Sequence, residues 1–260
     1  FTSSEAGSTF ECKLDAGAFA PCTSPRTYTG LGSGSQTVQV RATDAVGNTD
    51  PTPASHTWTI DTGPPNTSIT STPANPTNQT SASFSFTSTE GGSTFECRLD
   101  GGPWSSCTTP RSYSGLAEGS HTFDVRATDP VGNTDQTPAT RSWTVDLTAP
   151  ETTITANPTD PSSGSVSFSF TSSESGSTFQ CRIDGPAFAS CTSPKPYTGL
   201  TTGSHTFEVR ATDAAGNTDA SAASFAWTVD ATPPDTTITS FPVNPTNQTT
   251  ASFGFATLRR

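Results

Sequence analysis

The 260-residue chain has no methionine, two lysines, three histidines and no long apolar run, and each shortage excludes something. Without methionine it does not open on a translation start, so a processed product or an excerpt of a longer protein is expected. With Lys13 and Lys195 the only lysines, and 12 basic against 23 acidic side chains (net charge −11), no basic face is available for phosphates. Nucleic acid is therefore not an expected partner. No stretch approaches the ~20 apolar residues of a spanning helix, and nothing at Phe1 resembles a signal segment, so no membrane span is expected. Only 30% of residues are hydrophobic, too few for one large core, and no apolar stripe of helical period is present. His56, His121 and His205 accompany no nucleophile motif, phosphate loop or paired-histidine metal motif, so no enzyme is expected.

In place of these, serine and threonine make up 87 of the 260 residues. Such a composition alone would suit disorder. A repeat argues otherwise. Cys12-Lys13-Leu14-Asp15 returns at Cys97 to Asp100 and at Cys181 to Asp184, offsets of 85 and 84 residues. Val40 to Asp44 returns at Val125 to Asp129 and Val209 to Asp213, and Trp58, Trp143 and Trp227 close the units. The expected modules are 1–61, lacking its first strands, 62–146 and 147–230, both complete, and 231–260, the opening strands of another. Phe1, Phe86, Phe170 and Phe255 share one position, so tail and head together amount to one repeat with a short overlap.

Within a unit, apolar residues alternate with polar ones, as in Phe84 and Phe86, or His121, Phe123, Val125 and Ala127. Period two with one apolar face predicts half-buried antiparallel strands. About seven such strands in ~85 residues predict an all-β sandwich of two sheets. Cys12 and Cys22, Cys97 and Cys107, and Cys181 and Cys191 are each ten apart around turn residues such as Asp100-Gly101-Gly102-Pro103. A hairpin centred on Gly102 would set the paired cysteines directly opposite, predicting cross-strand disulfides and an oxidising, extracellular location. The spacing does not fit zinc. Strict alternation puts Phe19, Trp104 and Phe188 on the other face, either exposed or re-aimed by a bulge.

The run Phe-x-Cys-x-Leu-Asp, Cys-Thr-x-Pro, Tyr-x-Gly-Leu, Gly-Ser-His-Thr-Phe-x-Val-Arg-Ala-Thr-Asp, Gly-Asn-Thr-Asp and Trp-Thr-Val-Asp resembles the tandem bacterial Ig-like repeats, close to fibronectin type III modules, of large secreted and cell-surface proteins. The resemblance implies tandem Ig-like or fibronectin type III-like β-sandwich modules arranged as beads on a rod. It also implies stalk, spacer or adhesive roles and calcium at the module junctions.

The strongest polar constellation is Asp-x-x-Gly-Asn-x-Asp, as Asp44…Asn48…Asp50, Asp129…Asn133…Asp135 and Asp213…Asn217…Asp219. Such residues build solvated turns, and they are also the oxygen donors that calcium takes. Sandwich topology would gather Asp61, Glu90, Asp129, Asn133 and Asp135 at one junction, and Asp146, Glu151, Glu174, Asp213, Asn217 and Asp219 at the next. Proline-rich segments follow each closing aspartate and suit a semi-rigid rod. Asn66, Asn78 and Asn247 lie in glycosylation sequons. The lysines do not recur, which disfavours Lys–Asn cross-links.

The expectation for function is a structural extracellular rod, stalk or filament. The tail could add its strands to residues 1–61 of the next protomer in a head-to-tail homopolymer, the interface then involving Phe1, Phe253, Phe255, Glu5, Asp44, Asp50, Asp230 and Asp235. Two alternatives stand beside it. One is an adhesive array that binds a surface glycan or host-cell receptor through Phe19, Trp104 and Phe188, and the other is the spacer of a larger secreted enzyme.

Overall fold

The structure, a computed structural model, describes residues 1–185 and 187–258; the last two residues of the expected 231–260 segment lie outside the described residues. Among the described residues there are twenty strands and no helix. Packing divides the chain into two compact units. One comprises Phe1–Pro73, Ser81–Ser114 and His121–Ser142, the other Ala74–Thr80, Gly115–Ser120 and Trp143–Arg260.

In the first unit, β1 (Thr9–Leu14), β2 (Ala20–Cys22), β3 (Gly34–Thr43) and β4 (Ala54–Ile60) form one antiparallel sheet in the order β2-β1-β3-β4. Next come β5 (Thr67–Ser71), β6 (Ser81–Ser88), β7 (Thr94–Leu99), β8 (Ser105–Cys107), β9 (Arg111–Ser114), β10 (Gly119–Thr128) and β11 (Ala139–Val145). They make a sandwich, with β5-β6-β9 as one sheet and β11-β10-β7-β8 as the other. Phe84 of β6 stacks on Phe123 of β10, ring centroids 4.2 Å apart, which is how alternating aromatics fill a thin core.

The second unit repeats this plan. Strands β12 (Thr152–Ala156), β13 (Val166–Ser172), β14 (Thr178–Ile183), β15 (Ala189–Cys191), β16 (Lys195–Tyr197), β17 (Gly203–Thr212) and β18 (Ala223–Val229) form the sheets β12-β13-β16 and β15-β14-β17-β18. Between them lie Phe168, Phe170, Phe207, Val209, Trp227 and Val229, buried with Cys181 and Val166. A three-stranded sheet facing a four-stranded one, all antiparallel, is the fibronectin type III arrangement that the repeat implied. The hairpin β19 (Asp235–Ser240) and β20 (Gly254–Leu258) forms a two-stranded sheet of its own.

Residues 1–61 differ in one respect: a four-stranded sheet is present and its three-stranded partner is not, among the described residues. The consequence is visible along β3. Its counterpart β17 alternates strictly, with Phe207, Val209 and Ala211 buried, whereas Val38, Val40 and Ala42 of β3 stay half-exposed. Arg26–Tyr28, which correspond to β9 and β16, form no strand, because the strand that would pair with them is absent from residues 1–61.

All three disulfides are formed, each with a Cα–Cα distance of 5.8 Å. The register differs from the expected one. Cys97 faces Ser105 and Cys107 faces Phe95, so the cysteines are diagonal neighbours and the turn centres on Gly101 instead of Gly102. Asp100 and Gly101 both adopt positive φ (52° and 70°), and this tight turn shifts the pairing by two residues.

Candidate functional site

Each Asp-x-x-Gly-Asn-x-Asp segment is first of all a turn. Oδ1 of Asp129 accepts the backbone N–H groups of Val131, Gly132 and Asn133 at 2.7–2.9 Å, while its Oδ2 accepts the Asn133 amide at 2.8 Å. The glycine is required at the tip, where φ is 101°. Asp213 and Asp44 bind their own loops in the same manner.

The asparagine also reaches outside the loop. Its Nδ2 donates to the backbone carbonyl of the aspartate that closes the preceding strand, from Asn133 to Asp61 at 3.2 Å and from Asn217 to Asp146 at 2.8 Å. This tie brings carboxylates together. Oxygens of Asp61, Glu90 and Asp129 lie within 4.8 Å of one another, as do those of Asp146, Glu174 and Asp213. Desolvation raises the Glu90 carboxyl above its ordinary range, and the charges of Asp61 and Asp129 push it further. Glu174 is raised likewise, first by desolvation, then by Asp146, Asp213 and Glu118. Desolvation acts the same way on Asp129 and Asp213, but the asparagine and backbone donors outweigh it and their pKa values are lowered. Each cluster is thus a repelling group in which the loop aspartate, Asp129 or Asp213, is held toward its ionised form, with donor chemistry that fits a hard cation in part: three carboxylates toward the six to eight oxygens calcium takes.

The other expected ligands are drawn elsewhere. Asp135 accepts the Thr67 N–H at 2.8 Å through Oδ2 and binds Thr137 through Oδ1. Asp219 does the same with Thr152 and Ser221. Thr67 and Thr152 in turn accept, through Oγ1, the N–H groups of Ala127 and Ala211 at 2.9 Å. This threonine clasp, buried at Thr152 and half-buried at Thr67, joins the first strand of a sandwich to its opposite sheet. Its sequence trace, a threonine at the start of each unit (Thr67, Thr152, Thr236), is faint in so threonine-rich a chain. At Glu151 the backbone N–H donates to Ser173.

The open face of residues 1–61 is a second candidate. A recess of about 560 Å³ is lined by Cys12, Tyr28, Leu31, Val38, Val40 and Trp58. An adjoining recess of about 380 Å³ reaches Ala42, Asp44 and Asp50. Phe1 occupies part of this face. Its ring meets Phe10 at 5.1 Å and 63°, reproducing the Phe86–Phe95 and Phe170–Phe179 pairs. On the tail, Phe253 and Phe255 are 55% and 75% exposed, whereas their counterparts Phe84 and Phe168, and Phe86 and Phe170, are buried. Asp230 caps its loop by accepting the Thr232 N–H, and Asp235 and Glu5 are exposed.

Trp104 lies on the outer face, re-aimed by no bulge, half-buried between the guanidinium groups of Arg98 and Arg126 at 4.5 and 4.4 Å. Phe19 is held by Lys13 and Arg41, Phe188 by Arg182 and Arg210. Cations already engage these rings. Among the sequons, Asn66 and Asn247 are exposed, while Asn78 is half-buried and its N–H donates to the Ala215 carbonyl at 3.2 Å.

No family model matches the chain, and no curated protein matches it. Among solved structures it is similar to the fibronectin(III)-like modules of Clostridium thermocellum CbhA (18% identity, 63% of this chain and 94% of that one, TM-score 0.40). It is similar to a structure bearing on host cell surface retention of a 1.5-MDa bacterial ice-binding adhesin (17%, 86% and 86%, 0.43). A third is a tetra-tandem repeat in the extending region of a large adhesion protein (19%, 96% and 80%, 0.32). By its own strand order and cores, the chain is a tandem array of Ig-like, fibronectin type III-like β-sandwich modules.

Proposed function

We propose that the chain is a non-enzymatic, extracellular structural protein whose modules (1–61, 62–146, 147–230 and the opening strands 231–260) extend a rod or stalk. It lengthens head to tail when the β19–β20 hairpin of one copy completes residues 1–61 of the next. One observation carries this reading: Phe253 and Ile238 are exposed on the hairpin, while the face they would cover in a complete sandwich is open along Val38, Val40 and Trp58. An exposed half-core and an unpaired strand edge attract a complementary strand. Phe253 would take the place of Phe84 and Phe168, and Thr236 would clasp Ala42 and Asp50 as Thr152 clasps Ala211 and Asp219. Phe255 aligns with the site Phe1 already fills, so it enters only by displacing that ring. Asp230, Glu5 and Asp44 would then repeat the carboxylate clusters of the internal junctions.

Sedimentation of the full chain tests the reading. Concentration-dependent growth that Phe253→Arg abolishes supports it, and a monomer at all concentrations overturns it. Calcium is the second element, favoured by the raised carboxyls of Glu90 and Glu174. Calorimetric titration should then register two or more ions per chain. Disulfides in residues 1–61, 62–146 and 147–230 support an extracellular location. The glycan-binding alternative keeps little support, because basic side chains already engage Phe19, Trp104 and Phe188.

A further inference from the structure

We infer that a proton on His205 controls how the linker after residues 147–230 is held: the imidazolium ties down residues 198–202, and that loop carries the linker at Ala231.

The ring of His205 is buried on the inner face of β17, 9% exposed, between two acceptors. Nε2 meets the Thr201 carbonyl at 2.8 Å, and Nδ1 meets the Asp184 carboxylate, which also accepts the Thr206 N–H. A carbonyl and a carboxylate only accept, and a neutral imidazole has a single N–H. Both bonds therefore form only when the ring is protonated. Thr201 first, then Asp184, raises the pKa of the ring accordingly. Among the described residues, the other elements packed nearby bring no competing charge to it. Trp227 of β18 lies on the ring at 5.6 Å. Tyr197 of β16 meets Phe207 instead, and Arg182 of β14 pairs with Glu208 of β17 on the outer face.

When the proton leaves, the charge of Asp184 retains the remaining N–H, and the Nε2 lone pair is turned against the Thr201 carbonyl. The hold on residues 198–202 is then lost. Thr202, next in that loop, accepts the Ala231 N–H through Oγ1 at 3.1 Å, so the linker is anchored on the loop that the proton holds. The same anchor recurs in residues 1–61, where Ser33 Oγ accepts the Thr62 N–H at 3.1 Å. There the place of the histidine is taken by Gln36, whose Nε2 donates to the Gly32 carbonyl at 3.3 Å. A glutamine amide does not titrate, so the chain contains its own pH-independent copy of the latch. In 62–146 the histidine is present as His121, paired with Asp100 at 2.8 Å.

NMR of the full chain across the histidine range, following the His205 ring and the backbone amides together, tests the latch. The Ala231 amide shift should move with the same midpoint as the ring. Its order parameter should fall from about 0.85 toward about 0.6 as the proton leaves. Thr62 in the same sample should show neither change, and His205→Gln should remove both at Ala231. An Ala231 amide that stays level through the titration, or a step that persists in His205→Gln, overturns the inference. Should that variant fail to fold, the wild-type comparison decides alone, because a matching step at Thr62 also overturns it.

Discussion

The ring of Phe168 lies flat on that of Phe207, with centroids 4.1 Å apart and planes 14° apart, at the centre of a sandwich core. Phe253 occupies the same repeat position and has no core to enter within its own hairpin. Phe168→Ala should therefore cost about 3–5 kcal/mol of stability. Phe253→Ala in dilute protein should leave the unfolding transitions unchanged. Urea titration followed by tryptophan fluorescence compares the two, and equal losses would contradict the assignment of Phe253 to an interface.

Thr152→Val keeps the shape of the side chain and removes the oxygen that accepts the Ala211 N–H. An N–H left buried without a partner costs about 1–3 kcal/mol. Chemical denaturation should show that loss, and hydrogen exchange should report faster opening at Ala211.

The protonated ring of His205 donates through both nitrogens, Nε2 to the Thr201 carbonyl at 2.8 Å and Nδ1 to the Asp184 carboxylate. The Thr201 carbonyl, then Asp184, raises its pKa above 6.5. The folded state therefore holds the proton more tightly than the unfolded chain, so the stabilisation is full below the ordinary histidine pKa. It is lost as pH rises through the raised value. Melting of the wild type should decline on that alkaline side. His205→Gln, which copies Gln36 of residues 1–61, should flatten the profile.

Glu174 and Asp213 belong to one cluster and respond to acid in opposite senses. The raised Glu174 stabilises the fold as pH falls through its folded pKa, whereas the lowered Asp213 withdraws support as pH falls through its own. In chelator near neutral pH, Glu174→Gln should raise the melting temperature by relieving repulsion. In excess calcium it should lower any calcium-induced gain. Differential scanning calorimetry with and without calcium reads both.

Replacing Cys181 and Cys191 by serine opens the short loop that they close. About 2–3 kcal/mol should be lost on the chain-entropy account. Because the cysteines are ten apart in every unit, the equivalent replacement of Cys97 and Cys107 should cost a similar amount, checked by denaturant midpoints.

Much of the fold was legible because it rests on local periodicity. Alternation placed Phe123, Val125 and Ala127 on one face of β10, and repeated cysteines announced the disulfides. The threonine clasp was not legible, since Thr152 matters through Asp219 and Ala211, some sixty residues away in sequence. Turn register also escaped, because positive φ at Asp100 moved the hairpin by two residues.

Period-two alternation, the lack of helical stripes and the recurring cysteine and tryptophan segments determined an all-β, repeat-built protein with thin cores, because side-chain period and repeat length are properties of the chain itself. Which carboxylates converge, which rings cations engage and which half-core lies open were decided only by the tertiary structure. Those depend on strands and loops from different parts of the sequence meeting at one place.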